Sequence, residues 1–491
     1  MSNRYRATYS VIPARPHHCV AGSSAQAGCS SRLLALVRIL SAVIFPAVVT
    51  LYPICLRAET MNSALAQAYR NNPQLNAERA RVRSIDENVP RALSGYRPTV
   101  SVTADVGLQH TDTTITNAGR ITGDTIPRGV SVNGTQTLFN GQRTANSVRQ
   151  AEQNVFAGRE GLRIIEQTIL LDAATQYMNV LRDSAILDLR RRNVEVLEEQ
   201  LRQTRDRFSV GEVTRTDVAQ AEARLAAARS DALIAESGLA SSRAAYRRVV
   251  GADPIRLASA SPVDRMSPRT LVGAIARGLA DHPTVTSAMY GIDVQLLQVK
   301  INEGALYPIV TLQGNVAQRY GSSVNTTQAF SATLIGQVSI PVYQGGQEYA
   351  LVRQSKETLA QQRLTLEQQR DQIRALVEAA WADLLARKAQ IQSTQAQVTA
   401  AEIALNGVRE EARVGQRTTL DVLNAQQELV TARVSLVTAQ RDRVVASYTL
   451  VAATGHLAPG VLGLPIEDYD PRVHYHQVRD AWIGLRTPDG Q

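Results

Sequence analysis

The chain has 491 residues, of which 44% are hydrophobic and only 4% aromatic, and it carries a formal net charge of +9. Six arginines and no acidic residue fall within residues 1–58, so the remainder has a net charge of only +3. A balance so close to neutral does not indicate a nucleic-acid partner, because such partners require clustered basic charge. We therefore expect no nucleic acid among the partners.

Residues 1–58 have the pattern of a secretory signal peptide with an N-terminal extension. A basic flank precedes the apolar run ILSAVIFPAVVTLYPICL, and the small residue Ala58 stands at the expected cleavage point. Pro46 and Pro53 interrupt the run, which disfavours the alternative of a membrane-spanning anchor. All three cysteines lie upstream of the cut, so the mature chain is expected to have no disulfide and no thiolate metal site.

The rest of the chain contains one pattern twice. NNPQLNAERARVRS from Asn71 corresponds to DHPTVTSAMYGIDV from Asp281, and LFNGQRTANSVRQ from Leu138 corresponds to VYQGGQEYALVRQ from Val342. A period near 200 residues indicates a duplicated domain. The first copy has six extra residues in its strand segment, where we expect a loop. The predicted segments are N-terminal helices (59–96), strands (97–139) and a long helical hairpin (140–251) in the first copy; a linker with N-terminal helices (252–306), strands (307–343) and a long helical hairpin (344–455) in the second; and a C-terminal tail (456–491).

Four segments alternate apolar and polar residues with a period of two. The first places Val100, Val102, Ala104, Val106 and Leu108 on one face, and segments near residues 130–138, 310–316 and 330–342 repeat the alternation. They predict four strands of about ten residues, long enough to cross an outer membrane when tilted. Open sheet edges in lipid leave backbone groups unpaired, and a closed barrel takes about eight strands. Several copies of the chain must therefore share one barrel.

Two proline-free segments, residues 142–208 and 346–411, are rich in Ala, Gln, Arg and Glu. Each is predicted to be one helix about 100 Å long at 1.5 Å per residue. A heptad seam runs along the first one through Leu187, Val194, Leu197, Leu201, Thr204 and Phe208. With few aromatic residues to fill a compact core, we expect coiled-coil packing in a thin wall. The alternative, a soluble structural coiled-coil rod in the periplasm, would account for the helices but not for the strands.

The motif VGEVTRTDV recurs 204 residues later as VGQRTTLDV. Gly211 and Gly415 are expected to adopt the left-handed backbone that ends a helix. The Thr-x-x-Asp spacing that begins at Thr214 and at Thr418 is typical of a capping box, which starts the next helix. Each motif is therefore predicted to be a tight turn between two helices.

These paired motifs, together with P-x-[VL] before a strand in each copy and LFNG or VYQGG where strand gives way to helix, resemble the TolC family of outer-membrane channel proteins. The resemblance implies a mixed α and β membrane protein that forms a homotrimer. Each chain would give four strands to a twelve-stranded outer-membrane β-barrel, continued by a long α-helical coiled-coil barrel across the periplasm. It further implies a passive exit duct of a tripartite efflux pump or type I secretion system, with a periplasmic adaptor and an inner-membrane transporter as partners.

By the same resemblance, the two turns lie at the periplasmic entrance of the duct. Arg417 would bond to Thr216 and Asp217 of a neighbouring hairpin and hold the entrance closed, while Asp421 would face the pore constriction. Two positions depart from the family pattern. Ala412 occupies the position at which family members can have a tyrosine that forms a second latch. Asn424 occupies the position at which they can have a second aspartate facing the pore. The expected adaptor contacts are Val210, Gly211, Glu212, Val414, Gly415 and Gln416.

No motif for catalysis or cofactor binding is present in the sequence. It contains no Walker-type phosphate loop, no nucleophile elbow and no paired metal motif, so we expect neither an enzyme nor a cofactor. The HYH sequence at residues 474–476 could ligate a metal, but without a partner cluster it is expected to be a surface feature of the tail. Transport energy must come from a partner, and the exported substrate, drug or protein, is left open.

Overall fold

A computed structural model describes residues 58–116, 119–488 and 490. The predicted signal peptide lies outside the described residues except for Ala58. In the described part of the chain, no helix combines the length and the hydropathy needed to cross a bilayer.

The helices occur in the same order in both halves. The first half contains α1 (Met61–Asn71), α2 (Pro73–Asp86), α3 (Asn88–Leu93), α4 (Arg143–Ser209) and α5 (Arg215–Val250). The second contains α6 (Leu271–Asp281), α7 (Pro283–Gly304), α8 (Gln347–Arg413) and α9 (Thr419–Ala453), followed by the short α10 (Pro459–Leu462) and α11 (Arg472–Val478). Both α4 and α8 have 67 residues, which confirms one continuous helix in each proline-free segment.

The strands lie between the short and the long helices of each half. They are β1 (Thr99–Val106), β2 (Gln109–Ile115), β3 (Gly119–Thr125), β4 (Arg128–Asn140), β5 (Ile309–Ser323) and β6 (Thr326–Ser339). Four of them form an antiparallel sheet in the order β1-β4-β5-β6. The four predicted strands are thus present, although β4, β5 and β6 have 13 to 15 residues and are longer than predicted.

A separate hairpin, β2–β3, occupies the segment where we predicted a loop. The loop prediction was wrong because this segment is rich in β-branched threonine and isoleucine, which favour strands. Polar side chains also pair across the hairpin: His110 lies 2.6 Å from Asp124, and Arg120 contacts Asp112.

The main hydrophobic core surrounds the middle of α4, where this helix meets α1, α2, α5 and α9. Tyr177 and Tyr246 are fully buried there. The Tyr177 hydroxyl lies 2.8 Å from the carbonyl oxygen of Glu59 and 2.7 Å from that of Ala258, and the Tyr246 hydroxyl donates to the Glu59 carboxylate at 2.7 Å. These bonds satisfy the buried hydroxyls and fix the start of the described chain to the middle of the long helices.

The predicted heptad seam is largely buried between α4 and α5. Leu187, Leu197, Leu201 and Thr204 are at most 7% exposed. Phe208 lies at the end of the seam and is 45% exposed, because α4 ends one residue later. Coiled-coil packing therefore extends almost to the turn.

Candidate functional site

One face of the four-stranded sheet is apolar. The strand register places Val132 opposite Val316, with Val100 and Leu334 on the same side one strand farther out. These four side chains are 40% to 75% exposed. An apolar face of this kind suits a hydrocarbon environment.

The opposite face of the sheet carries polar side chains that are bonded from strand to strand. The pairs are Thr103 with Ser131 (2.7 Å), Gln313 with Gln337 (3.0 Å), Asn315 with Asn133 (2.5 Å) and Arg319 with Asp105 (3.4 Å). Because side chains alternate between faces along each strand, all eight lie on the side away from the apolar residues. A hydrated lumen on this side would complement the apolar opposite face.

The two edges of the sheet are complementary to each other. With β1-β4-β5-β6 antiparallel throughout, β1 and β6 run in opposite directions at opposite edges. The β6 edge of one copy can therefore pair antiparallel with the β1 edge of the next. Such a contact is heterologous, and repeated contacts of this kind form a ring when the rotation between copies closes.

Apolar side chains also remain exposed along α8. Helix α7 packs against both α4 and α8 of the same chain. Even so, four leucines and one isoleucine of α8 are 40% to 72% exposed, namely Leu351, Leu364, Leu376, Leu385 and Ile403. These five residues are 9 to 18 positions apart, so they are separate exposed side chains spread along the helix and not one continuous patch.

The first turn joins α4 to α5 and has the predicted glycine geometry. Gly211 has a φ of +80° and donates its N–H to the carbonyl of Phe208 at 3.0 Å. The N–H of Glu212 donates to the backbone carbonyl of Arg207 at 2.9 Å. The second turn is built in the same way: Gly415 has a φ of +78°. Left-handed glycine therefore reverses the chain at the end of both long helices.

Both predicted capping boxes are present. The Asp217 carboxylate accepts from the backbone and hydroxyl of Thr214 at 2.9 and 2.7 Å, and Asp421 does the same with Thr418 at 3.0 and 2.9 Å. The hydroxyl of Thr214 chiefly lowers the pKa of Asp217, and the backbone N–H of Thr418 chiefly lowers that of Asp421. Both carboxylates are consequently ionised at neutral pH at the ends of the hairpins.

All six predicted adaptor contacts are exposed at the turns. Val210 is 77% exposed and Val414 is 72% exposed. The contact of these residues with an adaptor stays a prediction.

The predicted latch residue Arg417 bonds within its own hairpin. Its Nε donates to the Glu411 carboxylate at 2.8 Å. Thr216 and Asp217 lie on the other hairpin of the chain, and their contact with Arg417 of a neighbouring chain stays a prediction. Sequence reasoning missed Glu411 because many charged residues surround each turn and none has a distinctive spacing.

Asn424, predicted at the pore constriction, connects the two hairpins of the chain. The guanidinium of Arg224 on α5 donates to its side-chain oxygen at 2.7 Å. The adjacent Leu423 packs into the seam of the first hairpin beside Leu225 and Ala221. Nothing in the sequence pattern distinguishes Arg224 from other arginines on these helices. The location of Asp421 and Asn424 in a pore stays a prediction.

The prediction that the HYH sequence is a surface feature was wrong for its first residue, His474, which is buried. His474 is 8% exposed, and its Nδ1 lies 3.0 Å from a carboxylate oxygen of the buried Asp86, because α11 packs against α2. Among the described residues, no group of histidine, cysteine or acidic side chains has the arrangement of a metal site.

The fold is that of an outer-membrane channel protein. The crystal structure of the Campylobacter jejuni CmeC outer membrane channel is similar over 86% of this chain and 89% of that chain, with a TM-score of 0.72 and 15% sequence identity. Outer membrane efflux protein BepC of Brucella suis is 42% identical over 435 residues, 88% of this chain and 93% of BepC. Outer membrane protein TolC of Vibrio cholerae is 26% identical over 82% of this chain and 92% of that protein.

The sequence model of the outer membrane efflux protein family matches residues 64–252 and 274–456. The chain belongs to this family and is an outer-membrane protein that extends into the periplasm. The two matched segments correspond to the two halves of the chain, each with its long helical hairpin.

Proposed function

We propose that this chain forms the outer-membrane exit duct of an efflux pump or type I secretion system. The observation that carries the proposal is the four-stranded sheet, with one apolar face, one polar face bonded from strand to strand, and two complementary edges. Three copies would join edge to edge into a twelve-stranded barrel with the polar face inside. Four strands fall short of the roughly eight that the smallest membrane barrels require.

The helices support the same assembly. Joining copies in a ring would cover the exposed leucines of α8 with the neighbouring chain. The two long hairpins of each copy would then form a tunnel wall about 100 Å long. The conduction is passive, and the chain catalyses no reaction.

The turns of the hairpins form the periplasmic entrance in this proposal. The exposed Val210 and Val414, with the residues beside them, would contact a periplasmic adaptor that recruits the inner-membrane transporter. Arg417 would latch neighbouring hairpins together until the adaptor separates them. The ring of Asp421 carboxylates would favour cations in the narrow part of the pore.

A periplasmic coiled-coil protein without channel activity is the alternative. It would require the valine and leucine side chains of the sheet to face water. Their exposure on one face only, opposite a polar face, favours the membrane barrel. Neither face selects a substrate class, so drugs and secreted proteins are both compatible with the duct.

The proposal is tested by the mass of the detergent-extracted protein and by its conductance in planar bilayers. We expect a mass of three chains and discrete, water-filled conductance steps. Arg417→Ser should raise the conductance, whereas the matched control Glu411→Ala, which removes only the bond within the hairpin, should not. A folded monomer without conductance would contradict the duct, and equal conductance of the two variants would contradict the latch.

A further inference from the structure

The C-terminal tail runs along the outside of the short helices from the main core toward the sheet. Tyr469 lies near its start, with the Arg79 guanidinium of α2 5.1 Å from its ring centre. His474 then pairs with Asp86 at the end of α2. Tyr475 packs on the small cluster that contains Val89 of α3. Successive tail residues thus contact successive residues of α2 and α3.

The end of the tail is fixed beside the first strand. The Arg97 guanidinium donates to the carbonyl of Ala481 at 2.7 Å and lies 4.5 Å from the ring centre of Trp482. Arg97 precedes Thr99, the first residue of β1, by two positions. Two residues before Ala481, the guanidinium of Arg479 lies 3.5 Å from the carboxylate of Glu152, near the start of α4. Ala481 and Trp482 therefore lie at the base of the sheet, where the helices begin.

Large apolar side chains are exposed at this point. Trp482 is 69% exposed, and Ile483 and Leu485 are fully exposed. Arg479 and Arg486 flank them in the sequence. Three large exposed apolar side chains within four residues, with arginines nearby in the sequence, are typical of segments that lie in a membrane interface.

Trp482 lies at the end of the sheet that already carries exposed aromatic residues. One aromatic residue lies within or up to four residues beyond the helix-proximal end of each of the four sheet strands, and these four are 42% to 79% exposed: Tyr96, Phe139, Tyr307 and Tyr343. Membrane barrels carry such aromatic residues at the level of the lipid headgroups. Trp482 adds a fifth aromatic residue to this level, beside the edge strand β1.

We propose that residues 482–485 of the tail insert into the periplasmic leaflet of the outer membrane and bind its phospholipids. The apolar side chains would contact acyl chains, and the cationic Arg97 and Arg486 would contact the headgroup phosphates. The tail would thereby hold the short helices against the membrane at the base of β1. This inference rests on the membrane location of the sheet, which is part of the proposed function.

Tryptophan fluorescence provides the test, because Trp381 and Trp482 are the only two tryptophans in the chain. The Trp381→Phe protein reports Trp482 alone. The matched control, Trp482→Phe, reports Trp381, which lies on α8 about 50 Å from the sheet end of that helix. Both proteins are reconstituted in vesicles of phosphatidylcholine with or without brominated acyl chains, which quench nearby tryptophan.

We expect brominated lipid to remove most of the Trp482 emission and none of the Trp381 emission. Ile483→Asp in the Trp381→Phe protein should weaken the quenching. If brominated lipid does not quench Trp482, the inference is wrong. If the unquenched emission of Trp482 is also blue-shifted, and only in the assembled oligomer, then a second copy of the chain covers these residues instead. Conductance is recorded on the same preparations, so that a failure of the duct is distinguished from a failure of the tail.

Discussion

Gly141 joins β4 to α4, and its replacement by alanine should destabilise the connection between the sheet and the long helix. Gly141 has a φ of +65°, and a Cβ built on it would lie 2.2 Å from the carbonyl oxygen of Gly304 and 2.8 Å from the Cβ of Tyr307. The first contact involves backbone at the end of α7, so no rotamer change relieves it. Either β4 or α7 must move.

The cost has two parts. A left-handed backbone costs an L-residue about 1–2 kcal/mol, and overpacking against a fixed neighbour costs about 1–3 kcal/mol. Gly141→Ala should therefore destabilise the folded chain by about 2–5 kcal/mol in total. Gly134 in β4 is the matched control, because its Cβ would meet no atom within 4 Å and its φ is not positive. Gly134→Ala should stabilise slightly, by about 0.4–1 kcal/mol, through the unfolded chain.

The assay compares heat-induced loss of the folded oligomer, followed by gel mobility and circular dichroism, for the two variants and the parent protein. We expect Gly141→Ala to convert at a clearly lower temperature than the parent and Gly134→Ala to convert at the parent temperature or slightly above it. Equal transitions for both variants would refute the assignment of the Gly141–Gly304 contact as a rigid junction.

Three further predictions concern the hairpin turns. Asn424→Asp should raise cation selectivity only slightly, because the guanidinium of Arg224 lies 2.7 Å from the side chain of residue 424 and would offset the added charge. In an Arg224→Gln background the same substitution should raise cation selectivity strongly. Equal reversal potentials for Asn424→Asp in the two backgrounds would contradict this. Selectivity due to Asp421 should persist below its ordinary pKa of 3.8, since the backbone N–H and the hydroxyl of Thr418 lower that pKa. The cap stabilises the turn above pH 3.8, and this stability is lost as the pH falls through the lowered value. Thr418→Ala removes the hydroxyl bond and keeps the backbone bond, so it should move the loss of selectivity slightly to higher pH; an unchanged pH dependence would contradict this. Gly415→Val, at a φ of +78° in open space, should abolish export by distorting the turn while the mass of the trimer is unchanged; a dissociated trimer would refute this.

Local features were predictable from the sequence. The absence of proline over more than sixty residues predicted both long helices, and the two Thr-x-x-Asp spacings predicted both capping boxes. Gly211 and Gly415 were predictable for the same reason: the conformations depend on neighbours within five residues. Alternation with a period of two was enough to find the four strands of the sheet, since it reports the two faces directly.

Contacts between distant residues were not predictable in this way. The bond from Arg224 to Asn424 joins residues 200 positions apart, and that of His474 to Asp86 spans 388 positions. Both depend on how the helices pack, which a single sequence does not reveal. The β2–β3 hairpin was missed for a different reason, because its extra length was attributed to a loop although its β-branched residues favour strands.

Cysteine accessibility in the sheet tests the proposed duct most directly, because residues 58–491 contain no cysteine. Single cysteines at Ser131 and Thr311 lie on the polar face, and those at the adjacent Val132 and Leu312 lie on the apolar face. A membrane-impermeant thiol reagent added to outer membranes should label the first two and spare the second two. Equal labelling of all four would contradict a barrel with a water-filled lumen.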